Sequence, residues 1–174
     1  SDLNRGRGAA YHRIMTVRLR HLLLAVLIAL LAVRPGPARA EDPKVPYWAS
    51  IRPDEVNMRA GPGEDYKISW VYHRQQLPLK VLRIKEGWRL VADPDGAKGW
   101  VLARFLTRER TGFVKGPGPA DMRASGDSGS KLLWRLAPGI VGKLGNCASG
   151  WCELAVGPRK GYVEQARLWG AGEP

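Results

Sequence analysis

The residues of this 174-residue chain that could do chemistry are few: two cysteines, three histidines, some neighbouring carboxylates and seven tryptophans. A thiol nucleophile would be Cys147 or Cys152, and the one histidine beyond residue 40, His73, would have to be its base. That dyad requires reduced cysteines, and His73 ends a predicted strand far from them in the chain, so a surface or loop-edge histidine is the better account. The carboxylate pairs Asp54/Glu55, Glu64/Asp65 and Asp93/Asp95 sit beside Pro or Gly. That context marks turn residues rather than the opposed acids of a glycosidase cleft. Asp93-x-Asp95-Gly96 lacks the downstream acid of a calcium loop. The cysteines have no further thiolate or imidazole neighbours to complete a zinc site, and no Gly-rich phosphate loop opens a helix. The sequence therefore predicts no catalytic residue, no cofactor and no metal.

The aromatics are better candidates. Trp48, Trp70, Trp88, Trp100, Trp134, Trp151 and Trp169 all fall after residue 40. Trp and Tyr give large, rigid contact area with a polar edge. On Trp151–Val156, period two places Cys152, Leu154 and Val156 on one face and Trp151 with Glu153 on the other. Trp88 shares its face with Leu90, which predicts deeper burial. The expected ligand-contacting set is Tyr66, Trp70, Trp88 and Trp100, with Trp134, Trp151 and Tyr162. Some of these rings must instead be core. Arg59 and Arg123 could each hold a carboxylate bidentately, although a solvent-facing strand arginine is the simpler expectation.

The elements that must position these residues are written twice. Asn57-Met58-Arg59-Ala60 recurs as Asp121-Met122-Arg123-Ala124, and Trp70 recurs as Trp134. Gly87-Trp88 recurs as Gly150-Trp151, and Gly99-Trp100-Val101 as Gly161-Tyr162-Val163. The order is kept and the offset between matched positions is nearly constant, the signature of two copies of one small unit. Copy one spans 47–107 and copy two 112–169, joined by a short charged connector. Inside each copy, short runs rich in Val, Ile, Leu and Trp alternate with turns such as Asp93-Pro94-Asp95-Gly96. No stretch beyond residue 46 keeps a helical period for three turns, and Leu102–Leu106 has room for one helical turn. Five short strands in so small a copy predict a partly open β-barrel.

Residues 1–40 are read differently. Arg18 and Arg20 precede an apolar run, Leu22 to Val33, and Ala38-Arg39-Ala40 follows. This is the pattern of a secretory signal peptide cleaved near Ala40, with residues 1–14 fitting a misassigned start before Met15. The run is short for a membrane span, so membrane contact is expected only through this segment before cleavage. The formal charge is +12, from 28 basic and 16 acidic groups. Seven basic groups and one acidic group lie in residues 1–40, which leaves 21 against 15, or +6, from residue 41 onward. That surplus suits an anionic neighbourhood and, with no long Lys/Arg run, does not point to nucleic acid. Export makes a Cys147–Cys152 disulfide the default. A loop that short is worth about 2 kcal/mol.

At this point the motifs carry a resemblance. Asn-Met-Arg-Ala-Gly-Pro-Gly at 57–63, Gly87-Trp88, and Asp-Gly-Ala-Lys-Gly-Trp-Val at 95–101 resemble the bacterial SH3-like domain. So do their counterparts in copy two. The resemblance implies an all-β chain of two tandem SH3-like barrels behind a signal-peptide helix. It also implies a non-catalytic module of the bacterial envelope, periplasmic or secreted, whose partner is peptidoglycan or its peptides, or an envelope protein. The alternative is an assembly adaptor that binds a protein through strand edges, with no wall ligand. Copy two departs from the pattern, since Ser125 replaces the Gly after Arg-Ala and no Pro follows. Its first loop is expected to be shaped differently.

Overall fold

A computed structural model describes residues 43–174. The apolar run, and the signal peptide and cleavage site read from it, lie outside the described residues. The described residues are all-β apart from two 3-10 turns, in two seven-stranded antiparallel sheets with the same strand order. The first sheet contains β1 (Tyr47–Ile51), β2 (Val56–Arg59), β3 (Ile68–Tyr72), β4 (Pro78–Lys85), β5 (Trp88–Ala92), β6 (Lys98–Leu102) and β7 (Leu106–Thr107). They lie side by side as β3-β2-β6-β5-β4-β1-β7. The second sheet contains β8 (Thr111–Val114), β9 (Ala120–Arg123), β10 (Leu132–Leu136), β11 (Val141–Ala148), β12 (Trp151–Val156), β13 (Arg159–Glu164) and β14 (Leu168–Trp169), ordered β10-β9-β13-β12-β11-β8-β14. A one-turn 3-10 helix, Ala103–Phe105 or Gln165–Arg167, precedes the last strand of each. Each sheet curls into a partly open SH3-like barrel.

There are seven strands per copy where the sequence suggests five. The two-residue closing strands β7 and β14 are too short to carry a pattern. The opening strand β1 has no polar face, because all five of its residues are buried. Tyr47, Ala49 and Ile51 point into the first core. Trp48 and Ser50, on the other face, meet the second barrel. There the Trp48 and Trp169 rings pack edge to face at 5.1 Å. Each indole also donates a hydrogen bond, Trp48 to the Gly172 carbonyl and Trp169 to that of Pro78. The Ser50 and Thr111 hydroxyls share a hydrogen bond at 2.6 Å. Residues 43–174 thus form one compact unit holding two barrels.

Each barrel has its own core of aliphatic side chains and methionine. Val56, Met58, Leu79, Val81, Val91 and Val101 fill the first, and Val114, Met122, Leu136, Leu154 and Val163 the second. No tryptophan belongs to either core. The repeated glycines are set by this packing. A Cβ on Gly99 would stand 2.5 Å from Met58 Cγ, and one on Gly161 would stand 2.5 Å from Met122 Cγ. The Met in the Asn/Asp-Met-Arg-Ala motif and the Gly of Gly-aromatic-Val are therefore two halves of one contact, made once in each barrel.

Candidate functional site: twin grooves and the exposed aromatics

The first loop of each barrel is held by the repeated arginine. Arg59 Nη1 donates to the Tyr66 carbonyl at 2.7 Å, and Arg123 Nη1 to the Ser130 carbonyl at 2.8 Å. Ser130 follows Arg123 at the same spacing as Tyr66 follows Arg59, so the strap is the same. Arg123 Nη2 also donates to the Asp121 carboxylate at 2.9 Å, whereas Arg59 is held through Nη1 to the Tyr66 carbonyl. The loops they strap differ in construction. In the first, the Tyr66 ring lies against Gly61, where a Cβ would fall 2.3 Å from the ring carbons. In the second, Ser125 Oγ donates to Asp127 at 2.8 Å, and Ser130 Oγ donates to the Ser125 carbonyl.

Between this loop, the second strand and the 3-10 turn, each barrel has a groove. The first, of about 220 Å³, is lined by Asn57, Arg59, Glu64, Trp88, Leu102, Arg104 and Phe105, with the Arg104 guanidinium over the Phe105 ring. The second, of about 270 Å³, is lined by Asp121, Arg123, Ser128, Glu164 and Arg167. Five lining positions correspond: Asn57 with Asp121, Arg59 with Arg123, Glu64 with Ser128, Leu102 with Glu164, and Phe105 with Arg167, whereas Trp88 and Arg104 line only the first groove and Pro119 only the second. The chemistry has diverged. Trp88, Leu102 and Phe105 give the first groove an apolar wall beside Asn57 and Glu64. The second is polar, and its Arg167 is spent on carbonyls of the 115–119 segment, including Gly118 at 2.8 Å.

The expected aromatics are placed at several sites rather than one. Trp88 lines the first groove. Trp100 lies across from Leu90 and Arg59 on the outer face of β6. Tyr66 covers the first loop and is half exposed. Trp70 and Trp134 stand on the edge strands β3 and β10, 58% and 43% exposed. Trp151 packs on Gly126, whose added Cβ would stand 3.1 Å from it. It is half-buried, and so is Trp88. Tyr162 donates to Glu153 at 3.1 Å, which raises its phenol above the usual value. It borders a cavity of about 430 Å³ with Lys143 and Lys160.

Sequence reasoning missed a buried polar pair in barrel one. Tyr72 donates to Asp93 Oδ2 at 3.1 Å, and both side chains are buried. Asp93 Oδ1 accepts the backbone N–H groups of Asp95 and Ala97. Burial, reinforced by the Asp93 charge, raises the Tyr72 phenol well above its ordinary range. The corresponding residues in barrel two are Leu136 and Val156, both packed at its core. An Asp-Pro-Asp-Gly turn gives no hint that its first carboxylate is buried. Two further features contain no reactive arrangement. Cys147 and Cys152 form a disulfide across paired strands of the β11–β12 hairpin, so neither is a free thiol. His73 Nδ1 lies 3.4 Å from Glu55, and both are exposed.

Fold and site together describe a tandem β-barrel protein with repeated surface grooves. The bacterial SH3 domain family matches it twice, over residues 52–107 and 116–170. This chain belongs to the bacterial SH3 domain family. It is also 29% identical over 137 residues to the Bacillus subtilis (strain 168) protein named "Putative N-acetylmuramoyl-L-alanine amidase YrvJ". That match covers 71% of this chain and only 26% of the relative, so the chain spans about a quarter of its length. Among solved structures, NlpC2 of Trichomonas vaginalis matches 74% of this chain and 49% of its own, with 10% identity and a TM-score of 0.33. NlpC1 of the same organism matches 78% and 51%, with 11% identity and the same TM-score.

Proposed function

We propose that this protein is an exported, non-catalytic binding module of the bacterial envelope that recognises peptides of peptidoglycan. The observation that carries the reading is the twice-built groove between the first loop and the 3-10 turn, strapped in both barrels by the same arginine. In the first barrel, Trp88, Leu102 and Phe105 offer an apolar wall, while Asn57 and Glu64 offer hydrogen-bonding groups, the mixture that orients a short peptide. The amidase named above supports a wall ligand, because its name places it in wall chemistry. The disulfide and the net positive charge suit an oxidising, anionic surrounding. The other proposed contacts are Tyr66, Trp70 and Trp100 in barrel one, and Trp134, Trp151 and Tyr162 in barrel two.

Sedimentation with purified, protein-free peptidoglycan tests this. The protein should pellet with the wall, and Trp88→Ala should leave most of it in solution while retaining a folded circular dichroism spectrum. A parent protein that stays in solution removes the reading. One observation favours a second function, docking of a protein along strand edges. The edge strands β3 and β10 are where exposed Ile68, Trp70, Leu133 and Trp134 collect. That reading predicts no pelleting with protein-free wall.

A further inference from the structure

Equivalent aromatic rings in the two barrels differ in what covers them. Trp70 pairs with Met58, and Trp134 pairs with Met122 in the same register. Over Trp134 lies a guanidinium of the chain itself, Arg159, 4.2 Å from the ring centroid. Counting back two residues from the Gly-aromatic-Val motif, the counterpart of Arg159 is Ala97. The position also matches in the hairpin, since Asp93 and Ala97 are bonded as Val156 and Arg159 are paired. Barrel one therefore has a methyl group where barrel two has a cation. Among the described residues no cation lies over Trp70.

The uncovered ring opens instead on a cavity of about 520 Å³ between the barrels, bordered by Asp93, Asp95, His73 and Arg74 and, from barrel two, Phe113. Its one arginine is already engaged. Arg74 donates to the Gly139 carbonyl and lies over the Phe113 ring. His73 is turned to Glu55. Neither Asp93 nor Asp95 has an ion-pair partner among the described residues. In a chain with a basic surplus, this cleft combines an exposed indole with carboxylates that lack a cation.

We propose that the Trp70 cleft binds a cationic side chain, a lysine ammonium or an arginine guanidinium carried on an extended peptide. The indole face takes the charge, and Asp95 at the rim and Asp93 at the floor supply the counter-charge. A cation is drawn to an indole face by the ring quadrupole, most strongly where water is partly excluded. Barrel two shows the same interaction already satisfied from within, by Arg159. The cleft is separate from the groove at Trp88; it shares Trp70 with the contacts proposed above for a wall peptide, and its test uses no wall ligand.

The test is an NMR titration of the full chain, following the Trp70 indole N–H. The probes are acetyl-Ala-Lys-Ala-amide, its Arg analogue, and the uncharged norleucine analogue. Saturable shifts are expected with the Lys and Arg peptides, at least tenfold weaker with norleucine, and reduced several-fold in Asp95→Asn. Ala97→Arg should place an internal guanidinium over the ring and weaken binding at least tenfold, whereas Ala97→Glu, a shorter side chain of opposite charge, should retain it. Equal binding of the norleucine peptide, unchanged binding in Ala97→Arg, loss of binding in Ala97→Glu as well, or no saturable shift at Trp70 would each overturn the proposal.

Discussion

Replacing Tyr72 with phenylalanine removes one hydroxyl and keeps the ring in the first core, which isolates the phenol–carboxylate bond. That bond is 3.1 Å long, and the residues at both ends are less than one-tenth exposed. A hydrogen bond to a charged acceptor contributes about 1.5–3 kcal/mol, so Tyr72→Phe should destabilise the protein by about 2 kcal/mol. Asp93→Ala should cost more, about 3 kcal/mol, because it also strands the N–H groups of Asp95 and Ala97. The double variant should fall short of the sum by about 2 kcal/mol, since the shared bond can be lost only once. Urea denaturation at neutral pH, followed by tryptophan fluorescence, measures all four corners of this cycle. The pair also predicts a pH dependence. The folded state holds the phenol protonated, so above about pH 10 it binds more protons than the unfolded chain. The resulting stability is complete below that pH and is lost as pH rises toward the raised folded value. Tyr72→Phe should flatten that part of the alkaline decline. A Tyr72→Phe variant within about 0.5 kcal/mol of the parent, or an additive cycle, would refute the reasoning.

Gly99→Ala and Gly161→Ala should each destabilise by about 1–3 kcal/mol, because the new methyl meets a buried methionine and a strand carbonyl less than 3 Å away. Thermal melts should show a lowered midpoint for both. Trp48→Ala removes a buried ring that lies between the barrels rather than inside one, with an expected loss of about 3–5 kcal/mol. Calorimetry should then resolve separate unfolding of the two barrels, and a single unshifted transition would count against a shared interface. Reduction of Cys147–Cys152 should lower stability by about 2 kcal/mol, and Cys147→Ala/Cys152→Ala should match that loss in urea melts without reductant.

The duplication preserves what positions the surface and varies what the surface presents. The Met–Gly contact and the arginine strap are common to both barrels, as is the strand order. The Tyr72–Asp93 pair of one barrel is apolar in the other, the Trp88 groove has a polar counterpart, and the cation over Trp134 has no equivalent at Trp70.

Much of the fold was decided by local sequence. Alternation in runs such as Trp151–Val156 and the turn residues between runs specify hairpins, and repetition of those runs at a nearly fixed offset specifies two small barrels. The cysteine spacing placed the disulfide across one hairpin. Tertiary structure alone decided the fate of the tryptophans. Alternation assigns a ring to a face but cannot say whether that face meets solvent or another barrel. Trp48 is buried because β1 lies between two barrels, and Trp70 remains open because its counterpart's guanidinium is a methyl group here. The grooves join residues of β2, the first loop and the 3-10 turn, which are distant in the chain, so chain packing brings them together and no local pattern announces it.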